Sequence, residues 1–528
     1  MSGPVVTDLG CKFFRELPET TLKRKTIHRF IAGQDTAIQE LTLAEAKAKA
    51  ELGDVFATEF LLKGVFPKTS GEVLARLKKV GGAGDPLRTH RFFFLGEGSQ
   101  VPPDTTGVQR NLRFLAVTGK SEGGGPDLMI STFHPDRGDL ELMAWDRKRG
   151  GFNYYRTVGD TTGWIFAGNS RHAVEPKTEG NGPFQTHTSG NFIMKELKAP
   201  WINWDSPDAS ISPKVLPAAF RDHPWFRQRE SGGALTCELE VARPSITRWT
   251  KARFEQLLPG GNGTIERPRR IMEQILGTPT VNLVSSFTEG TQVARAESVD
   301  LPATFFVDEA LSNPMIGLEG PPGFAVPGKV YAQALKTFKV RWTDGGNFTR
   351  PGDTHFAFVV PERAFEDIEV LRRALKTGLI GERFAASLLM VDFPNPVYSA
   401  RRAKLLDHVP AKAIVEAGKS TFGQEMAKNI LAAAEASPAN SPEREFAERW
   451  GAGAGWKAAF NKTLAGYYRA LGRTLKAQGG FDRIFRVAES RRNRMRAETP
   501  LVESPLLFAT TNVARSARAS LRPDGTVV

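Results

Sequence analysis

Between about residues 85 and 360 the chain is a series of short, mostly apolar runs broken by polar, glycine-rich clusters. "NLRFLAV", "PDLMISTFH", "LELMAWD", "FNYYRTV" and "WIFAG" are rich in β-branched or aromatic residues, and the turn clusters "GKSEGGG", "PDRGD", "RKRGG" and "GDTTG" separate them. Short strands at this even spacing predict an antiparallel meander in a sandwich or barrel-like sheet. "TCELEVA", "ATFFVDE", "TFKVRWTD" and "HFAFVV" read as further strands, interrupted by the helical pieces "WTKARFEQLL" and "RRIMEQIL".

On either side the spacing is helical. "TLAE" (Thr42 to Glu45) is a capping box, predicting a helix that runs on through "AKAKAELGDVFATEFLL", and "TSGE" (Thr69 to Glu72) repeats the device. From Pro361 onward, Ile368, Leu371 and Leu375 share one helix face that ends at Gly378. Ser441 and Pro442 form a helix start. Trp456, Phe460, Leu464, Tyr467, Leu471 and Leu475 recur at intervals of three or four residues, the mark of a packed helix face. The pattern predicts an α+β fold in three parts: an N-terminal helical segment (1–84), a β-rich central domain (85–360) and a helical C-terminal lobe with a basic tail (361–528).

Composition changes this picture little. The chain has 528 residues, 40% hydrophobic and 24% charged, which is ordinary for a globular protein. Its net charge of +13 favours anionic partners, but the excess is spread along the chain. No stretch of about eighteen apolar residues is present to span a bilayer, and no secretory signal opens the chain, so it reads as cytoplasmic. Two cysteines, Cys11 and Cys237, exclude a disulfide framework and a thiolate metal cluster, though not a single bridge.

Several familiar chemistries lack their motifs. There is no P-loop, no G-x-G-x-x-G after a strand, no H-E-x-x-H, no EF-hand loop and no kinase signature. "AGNSRH" resembles a nucleophile elbow only in part. His172 stands where the second glycine belongs, so Ser170 reads as a turn residue. "PGGNGT", followed by Arg267, Arg269 and Arg270, reads as a surface turn at which an anion could be met. "GDTH" offers Asp353 beside His355, and Arg401 and Arg402 stand at a helix start, where the dipole disfavours cations. Between Arg483 and Arg522, a span that includes "RRNRMR" and "ARSARASLR", nine arginines stand against three acidic residues, read as a solvated face and loose tail.

The densest chemistry lies between residues 90 and 223, with five of the eight histidines (His90, His134, His172, His187 and His223). Six of the nine tryptophans (Trp145, Trp164, Trp201, Trp204, Trp225 and Trp249) fall in or just beyond it. Histidine supplies metal ligation and acid–base chemistry near neutral pH, and tryptophan an apolar wall with one donor. His134 and Asp136 form an H-x-D pair, and His187 follows at a distance. Two histidines and a carboxylate can occupy one face of a non-haem Fe(II) centre. In that arrangement Trp164 and Trp201 would wall a pocket and Lys195 would hold an acidic cosubstrate. Haem on one buried histidine is the second cofactor option.

The function expected is an enzyme acting on a small-molecule substrate, with a metal-dependent oxidoreductase as its sharpest form. The alternatives are a basic protein binding nucleic acid or another polyanion, and an assembly protein that buries its tryptophans in a partner.

Overall fold

The computed structural model describes residues 22–80, 84–97, 104–107, 111–119, 124–132, 140–157, 163–185, 187–192, 212–230, 236–343, 348–498 and 509–528. They fall into two compact units, one holding the described residues up to 253 and the other those from 254 on. The division runs through the stretch that the hydrophobic pattern reads as one β-rich domain.

The first unit is built on one eight-stranded sheet. Its strands are β1 (Ile27–Arg29), β2 (Gln39–Leu41), β3 (His90–Glu97), β4 (Asn111–Thr118), β5 (Leu128–Thr132), β6 (Glu141–Asp146), β7 (Gly151–Thr157) and β8 (Trp164–Asn169). The spatial order is β2-β1-β8-β7-β6-β5-β4-β3. From β3 to β8 neighbours pair antiparallel, as the short turn-separated runs predict. The segment read as helical supplies two strands as well, and β1 lies parallel to β8 with Ile27 opposite Trp164 and Arg29 opposite Phe166.

Three helices pack on one face of this sheet: α1 (Leu43–Ala48), α2 (Val55–Glu59) and α3 (Ser70–Leu77). The Thr42 capping box forms with both of its bonds, but α1 stops at Ala48, well short of the long helix predicted. The chain restarts at Asp54, whose carboxylate accepts from the Phe56 and Ala57 amides. The same carboxylate accepts from the Tyr155 hydroxyl at 2.5 Å and the Asn153 amide at 2.7 Å, so one buried acid ties α2 to β7. Burial pushes its pKa above the ordinary carboxylate value. Phe56 lies edge-on to Tyr155 and Trp164, at 5.2 and 4.6 Å between ring centres, and this contact centres the core.

The second unit is mainly helical. Its strands form small sheets of two or three rather than an extension of the large one. Two stretches read as strands are helical: "TCELEVA", at the end of the first unit, forms a π-turn at Glu238–Ala242 leading into the helix Arg243–Leu257, and "ATFFVDE" in the second unit contains a 3-10 turn at Ala303–Phe305. The long helices form as the apolar spacing predicts. Trp456–Lys476 buries Trp456, Phe460, Leu464, Tyr467 and Leu471. Pro442–Trp450 starts at a Ser441 cap.

The arginine-rich helix Gly480–Glu498 departs from expectation. Arg491 and Arg492 are 5% and 1% exposed, so this is not a solvated face. Arg491 donates to the carbonyls of Phe305 and Pro394, while Arg492 pairs with Glu489 and with the Val359 carbonyl. Arg402 is also fully buried, bonded to the carbonyls of Asn395 at 3.0 Å and Pro396 at 2.7 Å. Its position at a helix start is a packing device rather than an anion site.

Candidate functional site

The segment after β8 folds tightly against the end of the sheet. Gly168 has φ +111°, and a Cβ there would stand 3.0 Å from the Phe184 ring and 3.4 Å from His172 Nδ1. Gly190 has φ +72° and would place a Cβ 2.4 Å from the Ser170 carbonyl. At both positions only glycine combines the backbone angle with so close an approach. The Ser170 hydroxyl donates to the Gly190 carbonyl at 2.8 Å and accepts from the Phe152 amide at 3.0 Å. It is fully buried and occupied with holding the turn, as the elbow comparison predicted for a residue without the second glycine.

Beside this turn lies a cleft of about 520 Å³, lined among others by Glu51, Arg149, Arg171, His172, Glu175 and Lys177. The local bonds explain how the group is held. Asn169 Oδ1 accepts from the Arg171 amide at 3.1 Å, and the Asn169 amide donates to His172 Nδ1 at 3.1 Å. A backbone N–H aimed at Nδ1 assigns the proton to Nε2, so the neutral ring presents a donor rather than a base at that nitrogen. The Arg171 guanidinium donates to the Arg149 backbone carbonyl, tying it to the turn between β6 and β7 across 22 residues of sequence. Asp146 anchors the Arg149 turn, accepting from the amides of Lys148 at 3.0 Å and Arg149 at 2.9 Å. Glu51 is held by Arg29 at 3.2 Å, and Arg29 also pairs with Asp35 at 2.5 Å.

The electrostatics follow from this crowding. Burial, and then the neighbouring Arg149, pull Arg171 below the usual arginine range, with Asp146 opposing. Burial likewise lowers His172, against the pull of Glu51. The lining therefore carries three cations (Arg149, Arg171, Lys177), two carboxylates (Glu51, Glu175) and an imidazole that favours its neutral form. One carboxylate is already engaged by Arg29.

A pH dependence of stability follows. The folded His172 titrates below its ordinary value, so between that lower pKa and about 6.5 the unfolded chain binds more protons. Its contribution is complete above pH ~6.5 and is lost as the pH falls below that value. Lowering the pH from 7.5 to 5.5 is expected to reduce the denaturation midpoint of the wild type more than that of His172→Asn. Equal losses in urea titrations of the two proteins would refute this.

Of the residues predicted to form a metal centre and pocket, His134, Asp136, Lys195 and Trp201 lie outside the described residues. His187 is buried, with Nδ1 bonded to the Asn191 carbonyl at 3.1 Å and its ring 5.0 Å from Tyr154. Trp164 is fully buried in the core, donating to the Pro67 carbonyl at 3.0 Å. It shares the α2 face of the sheet with Tyr155, whereas His187 packs on Tyr154. Consecutive strand residues face opposite sides, so the sheet separates Trp164 from His187 and they do not share a pocket.

Among the described residues no group of three His, Cys, Asp or Glu is placed to hold a metal. Cys237 is a buried free thiol, pushed up to about 12 by desolvation. Asp353 of "GDTH" accepts from the buried Tyr331 hydroxyl, and Arg269 and Arg270 beside "PGGNGT" face Glu273. No described helix is long and apolar enough to cross a membrane. No family model matches the chain, and neither a curated protein nor a solved structure matches it.

The reading of single motifs counted His172 among five clustered histidines without giving it a role, and missed Arg149, Arg171, Lys177 and Glu51. Arg149 belongs to "RKRGG", which the pattern marks as a turn. Only the pairing of β6, β7 and β8 carries that turn to the His172 side of the sheet.

Proposed function

We propose that the chain is an enzyme acting on a small acidic organic molecule, a carboxylate or phosphate ester, bound in the cleft of the first unit. The carrying observation is that Arg171, bonded to the Arg149 backbone and lowered in pKa by burial and then the Arg149 charge, lines one partly buried cleft with Arg149 and a neutral His172. Like charges held together lose stability that an anion between them restores. Arg149, Arg171 and Lys177 would hold the acid group, and His172 Nε2–H would polarise a substrate oxygen while remaining uncharged. The buried Arg491 and Arg492 speak against the alternative of a basic polymer-binding face, because its central cations are bonded inside the unit.

The reading is tested by thermal unfolding at fixed ionic strength in chloride, inorganic phosphate and succinate. Ligands that bind only the folded state raise the midpoint by mass action. Phosphate or succinate is expected to exceed chloride, and equal midpoints in all three would overturn the proposal.

One observation favours a second reading. The carbonyl partner at Nδ1 leaves the lone pair of His187 on Nε2, the tautomer a metal-binding histidine takes. With His134 and Asp136 it would complete an Fe(II) triad. Metal analysis and an optical spectrum of protein purified without added metal decide this. The triad requires stoichiometric iron without a Soret band, a Soret band points to haem, and metal-free protein ends both.

A further inference from the structure

The second unit contains a cleft of its own, of about 1040 Å³, between the segment Pro322–Gln333 and the end of the helix Trp456–Lys476 with the turn that follows it. Its lining is largely apolar: Phe324, Pro327, Val330, Leu475 and Phe481 face it, and Val330 is 42% exposed. An uncovered valine in such a lining lacks the hydrophobic stabilisation that an apolar occupant would supply.

The charges around the cleft are one-sided. Lys329, Arg469 and Lys476 stand on it against one carboxylate, Asp482. Some exposed cations of this unit have acidic neighbours, as Lys457 does with Glu382 at 3.4 Å and Lys412 with Glu266 at 2.7 Å. Lys329, Arg469 and Lys476 have no ion-pair partner among the described residues. Space is left open as well. Gly472 and Gly323 line the cleft, and a Cβ on either would meet nothing within 4 Å. Gly472 lies inside a helix, where glycine costs about 1 kcal/mol relative to alanine.

We propose that this cleft binds an anionic amphiphile: a molecule with an acyl or aryl body for the apolar floor and a single carboxylate or phosphate head for the three cations. The volume suits one small molecule, since ligand sites commonly span roughly 300–1,000 Å³. The cations select the charge sign of the head, and the apolar lining requires a tail. The site is separate from the cleft of the first unit and stands or falls independently of it.

Calorimetric titration of the full chain with dodecanoate, kept below its micelle concentration, tests this. One saturable site is expected, with dodecyltrimethylammonium at least ten-fold weaker. Lys329→Glu/Lys476→Glu should weaken dodecanoate at least ten-fold by reversing the head-group charges. Gly472→Leu, a change towards a better helix former, should weaken it similarly by filling the cleft. Absence of saturable dodecanoate binding, equal affinity for the cationic detergent, or undiminished binding by both variants would each overturn the proposal.

Discussion

Asp308→Ala is expected to lower the stability of the second unit by about 3–5 kcal/mol, the range for breaking a buried ion pair from one side. Asp308 and Arg363 have side chains 0% and 3% exposed. The Arg363 Nε donates to the two carboxylate oxygens at 3.0 and 2.8 Å, its other nitrogens reach Oδ2 at 2.6 Å and the Gln274 carbonyl at 3.2 Å. Removing the acid strands a guanidinium that desolvation penalises heavily, and it also removes the cap on the Ala310 amide. Asp308→Asn/Arg363→Met keeps the cap and removes both charges, so it should recover most of the loss. Chemical denaturation of the variants reads this directly, and a cost below about 1 kcal/mol for Asp308→Ala would show that the pair is solvated.

Arg171→Glu is expected to abolish anion binding in the first unit while leaving its fold intact. One charge-assisted hydrogen bond is worth about 1.5–3 kcal/mol, roughly 10- to 100-fold in affinity, and reversing the charge adds repulsion. Arg171 is only half-buried, and one of its side-chain bonds is to a carbonyl on the cleft's own rim. The stability change should therefore stay within the small range of surface substitutions. A variant that binds phosphate like the wild type, or one that fails to fold, would contradict the role given to this arginine.

Several features of the fold could be read directly from the chain. The meander was legible because each strand is a short run rich in β-branched or aromatic residues closed by Gly and Asp turns, and the register pairs those runs in order. The Thr42 and Ser441 caps were legible because capping is local. "TCELEVA" was not, since seven residues fit either period. Its burial follows the helix, with Glu238 covered and Leu239 47% exposed. The side assigned to Trp164 was hidden for a different reason. All residues of β7 and β8 are buried, so no polar alternation marks which face each one takes.

Of the candidate site, only the region was legible, through the clustering of histidines that includes His172. Arg149 reaches it through strand pairing, and Lys177 through a turn in which its carbonyl comes within 2.1 Å of where a Cβ on Gly33 would lie. Such proximity is non-local and leaves no spacing in the sequence. The buried arginines were misread because a run such as "RRNRMR" looks solvated unless the carbonyls that receive it are known, here those of Phe305, Pro394 and Val359.

Isothermal titration of the wild type and Arg171→Glu with inorganic phosphate and with succinate, at low and at raised salt, tests the central claim most directly. The cleft of Arg149, Arg171, His172 and Lys177 predicts one site on the wild type for at least one of these anions, weakened by salt and absent from the variant. No binding to the wild type, or equal binding to both proteins, would contradict it.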